Sequence, residues 1–387
     1  MQSKIYLLLK ISGILYIFNI LLHKRSYNRE IIVRMYWKFI HKLNLFFKPP
    51  VGYEVKKLTS NVVNLFYEKN SVFMGVSNDV IAFGKSNIII RDKFAYINKY
   101  IDIDNELLPE ENNNILSLDK KIIFKEGKRD VIKIEEGVLF TDRLSSNYAH
   151  WVTEVLTRIS LYCRNSKITR NIPLIVDNYL PDSMYESIRM VDSSREIIKV
   201  EEDQELRIRK CTIVSPTGYV PYNYRKKSKA ITNGYFNEEA MLGLRNAVLK
   251  GINQSNTLPK KIYVGRYSNY RKLINQTEIE KMLISNGYSI INPETLTFLE
   301  QIELFNSAEH IIGPTGAGMT NIMFTKTDCV IDVLFSKSTQ HAYQYWENIA
   351  TCSGNKVRCI IGTIAHNDYI HSDFKVPLSK IQQAIKM

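Results

Sequence analysis

The second half of the chain alternates short apolar runs with helical patterns, and this alternation constrains the possible fold most. Strands are predicted at 261–264, 288–291, 310–312, 330–333 and 357–361. Helices are predicted between them at 277–285, 297–307, 316–324 and 340–352. Five strands interleaved with four helices predict a doubly wound parallel sheet, which binds its ligands beyond the carboxyl ends of the strands.

The first half shows a different pattern. From about residue 51 to 140, short β-rich runs are separated by polar turns, which predicts an antiparallel or mixed sheet. From Asn147 onward a helical pattern at 147–164 begins an alternation of helices and strands, and a last helix is predicted at 237–250. A polar segment, 251–259, follows that helix. We place a domain boundary there, because a chain of 387 residues is long enough for two α/β domains.

A glycine-rich turn from Gly313 to Asn321 follows the third predicted strand of the second half. The N–H groups of such a turn, and the positive end of the helix after it, bind phosphate groups. Met319 stands where an NTPase loop needs lysine, and Asn321 stands where a dinucleotide fingerprint needs its third glycine. The turn therefore predicts a diphosphate cradle of another kind. A tight turn that needs glycine only for its backbone angles is the alternative.

Two arginines, Arg266 and Arg271, flank the loop after the first strand of the second half. A parallel sheet places this loop at the same edge as the glycine turn. Guanidinium groups bind phosphate oxygens in pairs and keep their charge at all physiological pH values. We therefore expect these arginines to neutralise a departing diphosphate without a metal ion.

A further candidate site lies in the first half, in the helix that Asn147 is expected to cap. His150, Glu154 and Arg158 recur every four residues, which predicts that they lie on one helix face. A carboxylate one turn from an imidazole fixes its tautomer and raises its basicity, as a general base for a hydroxyl requires. An ordinary charged helix surface is the alternative.

The positive charge of the chain is concentrated at its N-terminus, where residues 1–48 carry eight of the thirteen net charges. An apolar run from Ile5 to Leu22 is followed by a helical pattern at 31–47 with a basic stripe. This pattern predicts an arm over residues 1–50 that binds an anionic membrane surface through residues 1–48. Two core helices are the alternative. The basic load after Leu22 would keep the body of the protein cytoplasmic, attached peripherally or by a single anchor.

The chain contains five cysteines without a Cys-x-x-Cys pair. This spacing does not support a zinc site or a disulfide framework, and it favours a reducing compartment.

Three blocks of sequence occur in an order and spacing that is typical of one enzyme family. They are Asn147-Tyr148-Ala149-His150-Trp151 with Glu154 and Arg158, then Arg266, Arg271 and Asn275, then Glu300-Gln301-Ile302, Gly313, Gly316-Ala317-Gly318, Asn321 and Phe324. Over about residues 140–335 the chain resembles glycosyltransferase family 61, the group of bacterial capsular polysaccharide biosynthesis proteins.

The resemblance implies an α/β fold of the GT-B type, with two Rossmann-like domains facing a cleft. Residues 51–250 would be the acceptor-side domain and residues 251–387 the nucleotide-sugar-binding domain. The implied activity is an inverting glycosyltransferase of capsular or surface polysaccharide biosynthesis that requires no metal or other cofactor. Its substrates would be a nucleotide-sugar donor, expected to be UDP-linked, and an oligosaccharide or lipid-linked glycan acceptor.

The resemblance also implies roles for particular residues. The catalytic base would be His150 or Glu154. The donor would contact Arg266, Arg271, Thr315, Gly316, Ala317, Gly318, Asn321 and Asp332. The chain departs from the family at two donor positions, since the family commonly has His at Thr315 and usually has Glu at Asp332.

Two alternatives from other classes remain. Asp102-Ile103-Asp104 has the Asp-x-Asp form that holds Mg²⁺ or Mn²⁺ in one class of glycosyltransferase, so a metal-dependent transferase is one of them. A non-catalytic nucleic-acid-binding protein is the other, because aromatic and basic residues are interleaved at 219–227. Most of the net charge lies in the apolar arm, and we therefore expect no nucleic-acid partner.

Overall fold

The computed structural model describes residues 52–102, 115–118, 121–124, 130–168, 170–202, 204–221, 234–252, 257–268, 271–338, 343–365 and 372–386. The predicted N-terminal arm lies outside the described residues, and so does most of the aromatic and basic segment at 219–227. Within the described part of the chain, no helix is both long and apolar enough to cross a membrane.

The first sheet is mixed and contains eleven strands within the described ranges. They are β1 (Gly52–Lys57), β2 (Asn64–Lys69), β3 (Val72–Phe83), β4 (Ile89–Arg91), β5 (Phe94–Ile97), β6 (Ile115–Leu118), β7 (Lys121–Phe124), β8 (Asp130–Leu139), β9 (Leu174–Asp177), β10 (Ile197–Val200) and β11 (Gln204–Val214). Their order is β10-β9-β8-β11-β3-β4-β5-β1-β7-β6, with β2 beside β3. The strands from β10 to β11 in this order pair in parallel, whereas β3 joins β11 antiparallel. The predicted mixed sheet is thus confirmed.

Helices connect the parallel strands of this sheet. One continuous helical segment between β8 and β9 consists of α1 (Tyr148–His150), a π-helix (Trp151–Leu156) and α2 (Thr157–Cys163). Helix α3 (Asp182–Val191) connects β9 to β10, and α4 (Glu238–Leu249) packs against α2. Two short strands, β12 (Gly218–Tyr219) and β13 (Tyr235–Phe236), pair antiparallel. The two β–helix–β connections place the carboxyl ends of β8 and β9 at one edge of the sheet.

The second sheet has five described strands, all parallel: β14 (Lys261–Val264), β15 (Ser289–Ile291), β16 (His310–Pro314), β17 (Val330–Phe335) and β18 (Val357–Ile361). The predicted parallel sheet is confirmed. Its order is β15-β14-β16-β17-β18, so the direction of winding reverses between β14 and β16. Open α/β sheets bind ligands at such a switch point, outside the carboxyl ends of the strands.

The helices of the second half are α5 (Gln276–Ser285), α6 (Phe298–Ser307), a 3-10 helix (Ala317–Phe324), α7 (Gln344–Ala350) and α8 (Leu378–Lys386). Short 3-10 turns lie at Ser60–Val62, Pro293–Thr295 and Thr351–Ser353, and β19 (Thr363–Ile364) pairs with β20 (Phe374–Lys375). Helix α6 begins with a capping box, in which Thr297 and Glu300 exchange hydrogen bonds.

The segment after the glycine turn is a 3-10 helix and not the α-helix that its pattern indicates. Side chains from other elements bind the carbonyl oxygens of its last turn. Asn306 Nδ2 lies 2.8 Å from Phe324 O, and Arg245 Nε lies 3.0 Å from Met323 O. These side chains satisfy two carbonyl oxygens that the end of a helix otherwise leaves without partners.

One hydrophobic core joins the two sheets. Trp151 and Ile159 of the first half and Phe298 and Ile322 of the second are fully buried in the same cluster. Residues 53–387 accordingly form one compact unit. The domain boundary after residue 250 stays a prediction.

A carboxylate of the first half also caps a helix of the second. Glu186 of α3 accepts hydrogen bonds from Phe298 N at 2.7 Å and from Leu299 N at 3.4 Å, at the start of α6. The first N–H groups of a helix lack partners within it, and an anion there is favoured by the helix dipole. This contact therefore orients the second sheet relative to the first.

Candidate active site

A histidine–glutamate pair lies at the start of the helical segment after β8. His150 Nδ1 is 2.6 Å from Glu154 Oε1, and the two side chains are only 14% and 11% exposed. An ionised carboxylate can only accept, so Nδ1 donates and the basic lone pair of the imidazole is on Nε2. Burial lowers the pKa of His150, but the charge and hydrogen bond of Glu154, with the charge of Asp142, outweigh it. The pKa of His150 therefore lies above its ordinary value.

The pair is carried by a helix that widens to a π-helix over Trp151–Leu156, where an α-helix is predicted. Thr153 Oγ1 donates to Ala149 O at 2.8 Å, and Thr157 Oγ1 donates to Thr153 O at 3.0 Å. Hydroxyl groups that bind the carbonyl four residues earlier compete with the α-helical N–H groups. A π-turn relieves this competition, and such turns are frequent at functional sites.

Arg158 lies close enough to Glu154 for the two charges to interact, but its guanidinium forms its ion pair with another carboxylate. Its Nε donates to the backbone oxygen of Glu154 at 2.9 Å, and its Nη2 lies 3.3 Å from Asp142 Oδ2. Arg158 therefore pairs with a carboxylate that the sequence pattern does not single out.

Two aspartates follow the strands of the first sheet, Asp142 after β8 and Asp177 at the end of β9. Asp177 Oδ2 accepts hydrogen bonds from Asp142 N at 2.9 Å and Ser145 Oγ at 2.7 Å. Its Oδ1 accepts from Lys85 N at 2.7 Å. Burial raises the pKa of Asp177 to about 7 in spite of these bonds. Sequence reasoning missed both aspartates, although their position at the carboxyl ends of strands is a signal that could have identified them.

At the switch point of the second sheet, the glycine turn meets the loop after β14. Arg266 Nη1 donates to Thr315 O at 3.0 Å, and Arg266 Nε donates to Ser268 Oγ at 3.0 Å. A Cβ atom at Gly316 would lie 2.3 Å from Arg266 Nη1, so the guanidinium lies where only glycine leaves room. Gly316, Ala317 and Gly318 are partly exposed. The first N–H groups of the 3-10 helix and the charge of Arg266 thus lie together at the carboxyl edge of the second sheet.

Thr315 and its neighbour Trp346 connect the turn to α7. The side chain of Thr315 is buried and its Oγ1 accepts a hydrogen bond from Trp346 Nε1 at 3.2 Å. The preceding residue, Tyr345, lies close enough to Glu154 for its charge to act on the phenol. Burial and then that charge raise the pKa of Tyr345. Two adjacent aromatic residues of α7 therefore lie near the two candidate sites, Tyr345 near Glu154 and Trp346 at the glycine turn.

Asn321 also faces inward. It is fully buried, its Oδ1 accepts from Tyr148 OH at 2.6 Å, and its Nδ2 donates to Gln301 Oε1 at 2.9 Å. Since Tyr148 precedes His150 by two residues, this bond ties the helix of the histidine–glutamate pair to the glycine turn. The side chain of Asn321 thus positions the turn and does not line its open face.

Asp332 is not at this edge. It is the third residue of β17, is fully buried, and binds Arg358 through Oδ1 at 2.7 Å and Oδ2 at 2.6 Å. His310 Nε2 lies 2.8 Å from Oδ2. Because β17 runs on to Phe335, Asp332 lies in the amino-terminal half of the strand. The expected contact of Asp332 with the donor is therefore corrected: its carboxylate is the partner of a partly buried arginine and a partly buried histidine.

Arg271 begins the segment that leads into α5, with its backbone in the left-handed region at φ 56°. The two residues before it, 269–270, lie outside the described residues. Asn275, which the sequence blocks include, holds the backbone of Val376 through both amide atoms, at 2.8 and 3.2 Å. Asn275 is thus a structural residue, and the contact of Arg271 with a diphosphate stays a prediction.

Within the described ranges, no group of three or more His, Cys, Asp or Glu side chains could hold a metal ion. Of the Asp-x-Asp tripeptide, Asp102 is exposed and Asp104 lies outside the described residues.

Residues 148–331 match the model of the family described as Glycosyltransferase 61. The matched segment extends from Tyr148, beside the histidine–glutamate pair, past the glycine turn into β17. Residues 148–331 therefore carry the features of glycosyltransferase family 61, as the three sequence blocks indicate, and the chain is a glycosyltransferase.

No curated protein matches the sequence. Among solved structures, the chain is similar to the dodecameric iron-containing heptosyltransferase TibC in complex with ADP-D-β-D-heptose. The two share 12% identity over 86% of this chain and 83% of that chain, with a TM-score of 0.24. A TM-score of this size is not evidence of a common fold.

Proposed function

We propose that this glycosyltransferase moves a sugar, with inversion, from a nucleotide-sugar donor to an oligosaccharide or lipid-linked glycan acceptor in capsular or surface polysaccharide biosynthesis. The observation that carries the proposal is the hydrogen bond of 2.6 Å between Tyr148 and Asn321. It joins the helix of His150 to the helix that begins after Gly316. A general base and a diphosphate cradle thus belong to one site.

His150 is the base in this proposal. Its Nε2 takes the proton of an acceptor hydroxyl, and the oxygen attacks the anomeric carbon from the face opposite the nucleotide. The bond from that carbon to the diphosphate oxygen breaks, and its electron pair leaves with the diphosphate. Glu154 holds the imidazole through Nδ1 and stabilises the imidazolium that forms. One displacement at the anomeric carbon inverts its configuration.

Arg266 and the N–H groups at the start of the 3-10 helix receive the diphosphate, together with Arg271. Their positive charge is already oriented before the bond breaks, which favours the transition state without a metal ion. The donor, expected to be UDP-linked, lies against the second sheet and the acceptor against the first. Binding of the donor and the acceptor by different sheets corresponds to the arrangement of a GT-B-type enzyme.

The base and the leaving-group cradle are tested separately. The nucleotide sugar that stabilises the wild-type protein most against heat is taken as the donor, because a ligand of the folded state raises its melting temperature. The variant with Arg266→Ala and Arg271→Ala should lose donor turnover, whereas His150→Ala should lose transfer and keep nucleotide binding. Arg209→Ala, at an exposed surface pair with Glu135, is the matched control. A product with retained anomeric configuration in its NMR spectrum contradicts the proposal.

The proposed location is the cytoplasmic face of the membrane, with residues 1–48 bound peripherally or as a single anchor. The support is the eight net positive charges of this segment and its apolar helical pattern. Sedimentation with vesicles compares the full chain with a chain that lacks residues 1–50. We expect only the full chain to bind, and to bind phosphatidylserine better than phosphatidylcholine. Equal partitioning of both chains contradicts the proposal.

A further inference from the structure

A partly enclosed cavity lies on the first sheet, beside the His150–Glu154 pair. Its polar lining consists of Asn87, Asn98, Thr141, Asp142, Glu154 and Arg158, and its remaining walls are mainly apolar. It encloses about 30 Å³. A water molecule needs about 10–15 Å³ of such space, so the cavity has room for roughly two oxygen atoms.

Two charged side chains that line this cavity each have a hydrogen-bonding atom without a partner among the described residues. Glu154 binds His150 through Oε1, and its Oε2 has no partner among the described residues. Arg158 donates through Nε to Glu154 O and through Nη2 to Asp142. Its Nη1 has no hydrogen-bond partner among the described residues. Only 9% of Glu154 and 8% of Arg158 is exposed. Buried groups of this kind are normally paired, so a polar ligand is indicated.

Two asparagines complete the lining with one unused atom each. Asn98 accepts from Tyr100 N through Oδ1 at 3.0 Å, and within the described ranges its Nδ2 has no partner. Asn87 donates through Nδ2 to Asp142 at 3.3 Å, and its buried Oδ1 has no partner there either. The cavity thus offers two acceptors, from Glu154 and Asn87, and two donors, from Arg158 and Asn98.

This set of atoms matches a pair of neighbouring hydroxyl groups. Each hydroxyl donates one hydrogen bond and accepts at least one, so two of them use both acceptors and both donors. An anionic group would meet the carboxylates of Glu154 and Asp142, and a cation would meet the guanidinium of Arg158. A neutral vicinal diol avoids both conflicts, and its two hydroxyl groups correspond to the two oxygen atoms for which the cavity has room.

We propose that the cavity is the acceptor subsite and that it recognises a vicinal diol of the acceptor sugar, next to the hydroxyl that reacts. This inference rests on the proposed function and deepens it. Glu154 then has two tasks, since Oε1 holds the base and Oε2 binds the acceptor. Asn87, Asn98 and Arg158 are the residues that select the acceptor.

The first test uses the wild-type full chain, so it does not depend on the folding of a variant. Methyl glycosides of the common hexoses and their monodeoxy analogues serve as probes, with binding measured by saturation-transfer NMR. For the glycoside that binds best, removal of either hydroxyl of one vicinal pair should weaken binding about 10- to 100-fold, because it leaves buried polar groups unpaired. Equal binding of all deoxy analogues, or no binding of any glycoside, overturns the inference.

The second test uses Asn98→Asp, which keeps the Oδ1 bond to Tyr100 N and replaces the amide donor with an acceptor. The ratio between the affinities for the best glycoside and its deoxy analogue should fall to near one. Asn171→Asp changes an exposed amide that binds Ser194 O, and it should keep the wild-type ratio. An undiminished ratio in Asn98→Asp overturns the inference.

Nucleoside-diphosphate binding and donor hydrolysis by wild-type protein separate the two levels of the hypothesis. If both are absent, the proposed function fails and this inference fails with it. If both are present but the diol makes no difference to binding, only the acceptor subsite is refuted.

Discussion

Replacing Gly316 by alanine asks whether glycine at this position makes room for Arg266. The backbone of Gly316 is extended at φ 175°, so alanine introduces no backbone strain. Its Cβ atom would lie 2.3 Å from Arg266 Nη1 and 3.5 Å from Cζ. These atoms are the far end of a flexible side chain. We therefore expect the guanidinium to move off Thr315 O while the fold persists.

Two opposing effects keep the change in the free energy of unfolding small. Exchanging glycine for alanine stabilises by about 0.4–1 kcal/mol through the unfolded chain. Loss of the partly exposed Arg266–Thr315 hydrogen bond costs about 0.5–1.5 kcal/mol. Diphosphate binding should fall more, because charge-assisted bonds worth about 1.5–3 kcal/mol are lost. This corresponds to a rise in Kd of about 10- to 100-fold.

The assay is isothermal titration with whichever of UDP, GDP and ADP stabilises the wild-type protein most. It compares wild type, Gly316→Ala, Arg266→Ala and the double variant as a cycle. We expect the double variant to bind no more weakly than Arg266→Ala alone. Gly251→Ala is the control, since the nearest atom to its Cβ is Val248 O at 3.8 Å. If Gly316→Ala weakens binding equally with and without Arg266, the added methyl does not act through the arginine.

Three further predictions concern the first sheet and its link to the second. The transfer rate should fall with decreasing pH through a pKa above about 6.5, since His150 acts unprotonated and its pKa is raised; Glu154→Gln should move this limb to lower pH in a rate–pH profile. Asn321→Leu should lower the free energy of unfolding by about 1–3 kcal/mol in urea, because Tyr148 OH loses its buried acceptor. The pKa of Asp177 is raised from 3.8 to about 7, so its stabilising effect is complete below pH 3.8 and is lost as the pH rises through 7. At 1.36 kcal/mol per unit this amounts to about 4 kcal/mol, and Asp177→Asn should abolish that pH dependence of unfolding.

Each of these has an outcome that contradicts it. If the acid side of the rate–pH profile is unchanged in Glu154→Gln, the carboxylate of Glu154 does not raise the pKa of the catalytic base. A further loss of stability on adding Tyr148→Phe to Asn321→Leu would mean that the phenol has another buried partner. A pH dependence of unfolding that persists in Asp177→Asn would belong to a different carboxyl group.

The strands of the second sheet were predictable because their pattern is local. Those predicted at 261–264 and 357–361 have the same bounds in the structure. Three consecutive apolar residues of the first, 262–264, are buried, and such a run is visible in the sequence without knowledge of its neighbours. The meeting of Arg266 with the glycine turn follows equally from a general rule, since parallel strands end at one edge.

The π-helix and the place of Asp332 were not predictable in the same way. The π-helix is accompanied by hydrogen bonds from the hydroxyl groups of Thr153 and Thr157 to carbonyl oxygens, which threonine forms in some helices and not in others. Asp332 is one residue in a run that is apolar on both sides, and its partner Arg358 lies on the next strand. The departure at Thr315 is accompanied by a hydrogen bond from Trp346, a contact that no spacing in the sequence indicates.

The sequence by itself determined the alternation of strands and helices, and it indicated the His150–Glu154 pair, because residues four apart lie on neighbouring turns of one helix face. Only the tertiary structure decided that Tyr148 binds Asn321, 173 residues away, and that Glu154 shares a cavity with Asn98. Contacts of this second kind are set when two sheets close over a common core. Which distant side chains meet there depends on how the two sheets pack, and the periodicity of either segment alone does not indicate it.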